Sequence, residues 1–362
     1  MRSSLLPLLR GSFAAVLASL LAAGVARAAT LPNLYRITVT PDPTATDQRG
    51  AAIEAAMSRL LIRVTGNRNA PLDPALTPLV TDAVRFLESY GLDRQGKPQV
   101  GFLRGQVEQA LTSLGKPVWG VERPLTLLWV AVDDGLGGRA LLGANDNTEV
   151  GLEPGVTPTP AMLDLLKNLR TELAAVADER GLPTTLPLLD LEDLTAVTFA
   201  DVWGGFEDRI AAASQRYRAD AVLVGRVRPG LVGPEVQWLM LRSTERQALT
   251  GGALRDGLDA VADTAAAELS TIGGATTALI RVLDVVTSAD YGRVMSYLER
   301  QSALETVDVE SYENGVLNLR VAARGDARVL ERLLALGNVL RPAAVLNGGG
   351  LAFEIIRSPA AP

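Results

Sequence analysis

The sequence predicts a multi-domain protein mixing α/β and α+β architecture: a central mixed sheet with crossover helices, and a C-terminal ferredoxin-like βαββαβ module. Three observations predict it. An apolar run at 186–191, a helix and a second apolar run at 221–227 read as strand, crossover and strand, the unit of a buried parallel pair. Residues 125–132 form another unbroken apolar run. The last third reads strand, helix, strand, strand, helix, strand. A chain of 362 residues accommodates two or three domains of about 100–200 residues each. The expected division is a signal peptide at 1–28, an N-terminal α/β domain at 29–135, a loop at 136–160, a central α/β domain at 161–275 and the ferredoxin-like domain at 276–362.

Taken in order, residues 34–40 alternate polar and apolar side chains, the period of a strand, and Pro41 and Pro43 end it. Residues 49–64 carry Ala, Ile, Met and Leu at helical spacing, and Gly66 suits a helix stop. A second helix is expected over 74–90, a short strand over 99–103 and a helix over 105–114. The Gly, Asn, Asp and Pro content of 133–160 predicts a loop, and 161–180 an amphipathic helix closed by Gly181. Residues 236–242 and 247–250 read as antiparallel strands. Residues 258–272 read as a helix, with Asp259 and Asp263 placed near its start to suit the dipole. In the tail, strands are expected at 277–286, 307–313, 316–322 and 351–357, with helices at 289–301 and 326–336. Ser288 is the expected N-cap of the first, and Asn314-Gly315 is a strong hairpin signal.

The first 28 residues have the form of a secretory signal. Arg2 and Arg10 flank a short apolar core at 13–21, and Ala26-Arg27-Ala28 places cleavage after Ala28. No other apolar run reaches spanning length, so no transmembrane segment is expected in the mature chain. Formal net charge is −6; loss of Arg2, Arg10 and Arg27 leaves 32 basic against 41 acidic residues, or −9. That balance argues against nucleic acid and anionic membrane surfaces. There is no Cys and no His. The usual zinc sites, Cys nucleophiles, the Ser-His-Asp triad and disulfides are therefore excluded. Aromatic content is 4%, so the cores must be built mostly from Leu, Val and Ala.

Several segments carry a resemblance. LPLLDLED, ADVWGGFEDRI, ASQRY and ADAVLVGRV lie within 186–227, AAIEAAMSRLLIRVTG spans 51–66 and LGKPVWGVERPLTLLWVAV spans 114–132. Together they resemble the exported bacterial family known as domain of unknown function 2066. The resemblance implies a secreted, periplasmic protein and supplies no catalytic residues. RYRADAVLVGRV (216–227) also looks like a segment of periplasmic α/β adaptor domains, in which a helix ends "yGAD"; here Arg218 stands where Gly is usual.

The densest acidic cluster is Asp190, Glu192 and Asp193, expected just past a parallel strand, where α/β sheets place ligands. It could serve a divalent cation or acid–base chemistry, or be a loop in which Asp193 caps the next helix. Asp220 could face the same cleft, or form a turn or pair with Arg216 or Arg218. Trp203, Gly204, Gly205 and Phe206 are expected to open the crossover helix, where the glycines would let an anion approach N–H groups. Asp201 as N-cap is the simpler account of the same residues. No dinucleotide or P-loop fingerprint is present. Asp133-Asp134-Gly135 fits a turn, Asn145-Asp146-Asn147 is a loop, and Gly348-Gly349-Gly350 a connector. Arg63, Arg68, Trp119, Arg123 and Trp129 form a set of binding-prone residues, Trp129 in the core and Trp119 the surface candidate.

No catalytic residue, metal ligand or cofactor is assigned. The leading expectation is a non-catalytic periplasmic adaptor with an envelope protein partner. The alternatives are a cell-wall hydrolase using Asp190 or Glu192 with Asp220, and a small-ligand or anion binder near Gly204.

Overall fold

The structure is a computed structural model that describes residues 29–31, 33–145, 151–153, 155–231, 233–242, 245–337, 339–343 and 350–357. The leader at 1–28, Asp146-Asn147 and Gly348-Gly349 lie outside the described residues. The fold is mixed α/β, with four sheets among the described residues.

The N-terminal part holds β1 (Ala29–Thr30), β2 (Arg36–Thr38) and α1 (Gln48–Thr65). It continues through α2 (Thr77–Thr81), β3 (Leu87–Leu92), β4 (Pro98–Phe102), α3 (Arg104–Ser113) and β5 (Glu122–Arg123). Asp47 accepts the Gly50 N–H to start α1, and Gly66 at φ 68° closes it. The stripe Ile53, Met57, Leu60, Leu61 and Val64 packs on Ile37, Val100 and Phe102 of the β2-β4-β3 sheet. The helix expected over 74–90 is replaced by α2, a 3₁₀ turn at Ala83–Phe86, and β3. Antiparallel pairing of β3 with β4 satisfies that backbone non-locally, which a local pattern does not reveal.

The central part runs β6 (Thr126–Asp133), β7 (Arg139–Leu141), α4 (Pro160–Arg180), β8 (Thr184–Thr185), α5 (Leu191–Ala196), α6 (Phe199–Gly204) and α7 (Glu207–Ser214). Then follow β9 (Ala221–Pro229), β10 (Pro234–Arg242), β11 (Glu245–Ala248) and α8 (Leu254–Leu269). The sheet order is β11-β10-β9-β6-β7, with β8 also beside β6. Residues 126–133, expected with the N-terminal part, pair here instead: β6 runs parallel to β9 with Leu128 opposite Leu223. Leu128, Val130 and Val132 point into the core shared with α4 and α8. Leu127, Trp129 and Ala131 point into the core under α5–α7. Both faces of β6 are therefore covered, which explains its unbroken apolar run.

The strand expected over 186–191 does not form. Only the two residues of β8 pair, parallel to β6. Pro187 has no N–H to give a ladder, and Leu189 sits at φ 53°, a left-handed conformation that breaks a strand. The long parallel pairing of the central sheet is β6 with β9.

Trp238 of β10 lies between Gly225 of β9 and Gly257 of α8. A Cβ at either glycine would come within 2.5 Å of the indole. These two glycines set how closely α8 approaches the sheet.

The C-terminal part runs β12 (Ala275–Leu283), α9 (Ser288–Leu298), β13 (Leu304–Glu313), β14 (Val316–Arg324), α10 (Ala327–Ala335), β15 (Leu340–Pro342) and β16 (Leu351–Ile355). The N-cap of α9 is Thr287, in a capping box with Asp290, one residue before the expected Ser288. Asn314 and Gly315 turn β13 into β14 at φ 51° and 79°, the left-handed pair of a tight hairpin. The sheet order is β13-β14-β12-β16-β15. The ferredoxin-like arrangement has a fourth strand antiparallel beside the first. Here β16 occupies that place and runs parallel to β12, because β15 and β16 form an antiparallel pair with β15 outermost. The C-terminal sheet thus has five strands and is mixed, which departs from the expected four-stranded ferredoxin-like module.

The three parts meet around arginines. Arg123 is fully buried and donates to five carbonyls, those of Gly120, Trp119, Arg63, Arg180 and Gly181. Arg180, also buried, donates to Gly66 O at 2.8 Å, Asp259 Oδ1 at 2.7 Å and Asp263 Oδ1 at 2.5 Å. Asp259 and Asp263 lie mid-helix on α8 and hold this arginine rather than facing a helix start. Arg324 of β14 pairs with Glu108 of α3 at 2.7 Å, and Glu122 accepts from the Ser302 N–H and hydroxyl.

Two glycine substitutions separate packing from propensity. Gly292 in α9 has open space around it, so Gly292→Ala should gain up to about 1 kcal/mol. Gly257→Ala carries the same propensity gain but drives a methyl into Trp238, and overpacking costs about 1–3 kcal/mol. Chemical denaturation should show the first variant at or above the parent and the second below it.

Candidate functional site

Two places concentrate charge: the acidic cluster around Arg216, and a cleft between the central sheet and the C-terminal part. The first is a closed structural network. Asp190 caps α5 by accepting the Asp193 N–H at 3.0 Å. Arg216 reaches both Asp190 oxygens at 2.7 and 2.8 Å, Asp193 at 3.0 Å and Glu192 at 3.5 Å. Asp193 is buried and takes the Leu189 N–H at 2.9 Å and the Tyr217 hydroxyl. Tyr217 in turn accepts the Leu188 N–H. These bonds pin the 186–190 loop to α5. The capping residue is Asp190, and Asp193 instead serves the loop behind it.

The electrostatics fit that role. The Arg216 guanidinium and the Asp193 N–H hold Asp190 down to about 2. Burial and the Asp193 hydrogen bond push the Tyr217 phenol up to about 12. Asp190 is therefore an ionised carboxylate near neutrality and not a proton donor. Among the described residues no group of three or more Asp or Glu is arranged to hold a metal ion.

Trp203, Gly204 and Gly205 close a helix instead of opening one. Thr198 caps α6 in a capping box with Asp201, which occupies the third helical position and not the cap. Gly205 follows at φ 71°, with its N–H returned to the Asp201 and Val202 carbonyls. The exposed groups there are carbonyls, the wrong polarity for an anion. The next helix, α7, already carries Glu207 and Asp208 in its first turn. Trp203 is half-buried and stacks on Phe199 with ring centroids 5.4 Å apart.

Trp119, the expected surface residue, is wholly buried. The Arg123 guanidinium lies 3.7 Å over its ring, and the backbone N–H of Trp119 donates to Val64 O at 2.6 Å. Trp129 is core, as expected, with its indole N–H on Ser214 Oγ at 3.0 Å.

Asp220 lines a cleft. Its Oδ2 accepts the Leu125 N–H at 2.8 Å and its own N–H bonds Leu125 O at 2.9 Å, tying the start of β9 to the start of β6. It does not pair with Arg216 or Arg218. The residue is exposed, yet protein packed around the carboxyl raises its pKa. The cleft it lines has a volume of about 640 Å³, within the range of small-molecule sites. Arg242, Glu268 and Arg332 share its rim, with Met240 and Leu336 on its floor. Arg242 grips Glu268 with two bonds at 2.9 and 2.6 Å, lowering the Glu268 pKa. A hollow of about 250 Å³ adjoins, sharing Asp220, Arg242 and Glu245 and adding Arg218 and Arg246. Of these neighbours sequence reasoning named Arg218 alone. The others come from β10, β11, α8 and α10, and no local spacing links them to Asp220.

The fold and these sites define a mixed α/β protein with a charged cleft between its central sheet and its C-terminal part. Among known families, the model described as Domain of unknown function (DUF8605) matches residues 28–120. The N-terminal part is thus similar to an uncharacterised family. No curated protein and no solved structure matches the chain.

The Asp190–Arg216 pair gives a signed pH dependence. Its folded pKa lies below the ordinary 3.8, at about 2. Its stabilisation is therefore present above about pH 4 and lost as pH falls toward 2. Melting temperatures of the parent and Asp190→Asn should differ above pH 4 and converge toward pH 2. A gap that stays constant across that window would rule the pair out as the source.

Proposed function

We propose that the chain is exported to the periplasm, with its leader removed after Ala28, and acts there as a non-catalytic adaptor that binds another envelope protein. The signal-like leader and the lack of His and Cys support this reading. The resemblance to domain of unknown function 2066 points the same way.

The observation that carries it is strand β13. It is the ten-residue edge of the C-terminal sheet and, among the described residues, pairs only with β14. Val309 and Tyr312 on it are 44% and 52% exposed, so the strand offers apolar contact as well as a free backbone edge. Two register shifts and four acidic residues, Glu305, Asp308, Glu310 and Glu313, guard it against indiscriminate pairing. Glu310 pairs with Arg320, whereas Asp308 and Glu313 make no ion pair among the described residues. An extended segment bearing Lys or Arg complements that edge.

Affinity capture from native envelope extract tests this. The parent should recover a specific partner, and a variant carrying Asp308→Lys and Glu313→Lys should recover at least about tenfold less at low salt. Recovery of no specific partner by the parent, or equal recovery by both proteins, would refute it.

A further inference from the structure

The cleft at Asp220 contains opposite charges that the fold leaves unmatched. Among the described residues no cation ion-pairs with Asp220, and no carboxylate ion-pairs with Arg218 or Arg332. The nearest candidates are already engaged. Arg242, which lies close enough to influence Asp220, is gripped by Glu268 through both its terminal nitrogens. Glu268, which feels Arg332, is held in the same bidentate pair. Arg246 in the adjoining hollow is held by Glu207 at 2.5 Å and Asp208 at 3.1 Å. Glu245 also faces the cleft. Arg218 is held at φ 50°, where glycine would be unstrained, and the residue lines that hollow. Below this rim the floor is apolar, formed by Met240, Val261, Leu269 and Leu336. An uncharged ligand would leave the rim unmatched, and an ion of one sign would match only half of it.

We propose that this cleft binds a short peptide with free termini, its ammonium group at Asp220, its carboxylate at Arg332 and its apolar side chains on the Met240–Leu336 floor. A volume of about 640 Å³ accommodates several residues rather than one. The site is separate from the β13 edge, so either can fail without the other.

Isothermal titration calorimetry on the mature chain tests it, with the tripeptide Ala-Leu-Ala as probe. Free tripeptide should bind, and its N-acetylated and C-amidated forms should each bind at least about tenfold more weakly. Asp220→Asn keeps an oxygen acceptor for the Leu125 N–H, so its fold is retained. This variant should lose discrimination against the acetylated form, and Arg332→Gln discrimination against the amide. No heat of binding at millimolar peptide would overturn the proposal. So would equal affinity for the blocked forms, or free leucine binding as tightly as the tripeptide.

Discussion

A buried guanidinium that, among the described residues, forms no ion pair is the constraint around which this molecule is assembled. Arg123 sits where α1 and α4 end, and its bonds run to Arg63, Arg180 and Gly181 on those ends and to Trp119 and Gly120 on its own segment. Helix C-termini carry about half a negative charge each. Two of them, converging on one cation, offset part of the cost of removing it from water. Burial still pushes Arg123 down to about 9, so the group stays charged near neutrality. The left-handed glycines Gly66 and Gly181 expose these last carbonyls by stopping each helix at the right residue. A Cβ on Gly181 would come within 3.1 Å of Arg123 Nη1.

The second arginine extends the arrangement. Arg180 takes Gly66 O from the N-terminal part and two aspartates from α8, joining three helices at one side chain. Arg63 adds Asp178 at 2.7 Å. With α1, α4 and α8 fixed, α8 covers one face of the central sheet, and β5 presents Glu122 to Ser302. The C-terminal part docks through that contact and through Arg324 on Glu108. Its α10 then stands across from α8 and β10, and the space left between them is the cleft at Asp220.

The sequence disclosed what short-range physics decides. The stripe of α1 with Gly66, the buried run of β6, and the Asn314-Gly315 turn each carry their whole signal within a few residues. Other readings failed where distant partners decide. Residues 186–191 are apolar enough for a strand, but Leu188 and Leu191 are 45% and 83% exposed, and Asp193 holds the backbone in a loop. Trp119 beside Pro117 and Gly120 suggests a surface residue, but it is a platform for Arg123. Gly204-Gly205 suggests a helix start, but the capping box at Thr198 and Asp201 places that start one turn upstream. The cleft was invisible because its walls, between residues 124 and 342, meet only after the parts dock.

Five carbonyls on one buried fork hold the N-terminal and central parts together. Urea unfolding of Arg123→Lys, followed by tryptophan fluorescence, tests it most directly. A lysine brings the charge without the planar fork and has at most three donors for five acceptors. A loss of about 3 kcal/mol or more is expected, since each buried acceptor left unpaired costs about 1–3 kcal/mol. An unchanged midpoint and slope would contradict it.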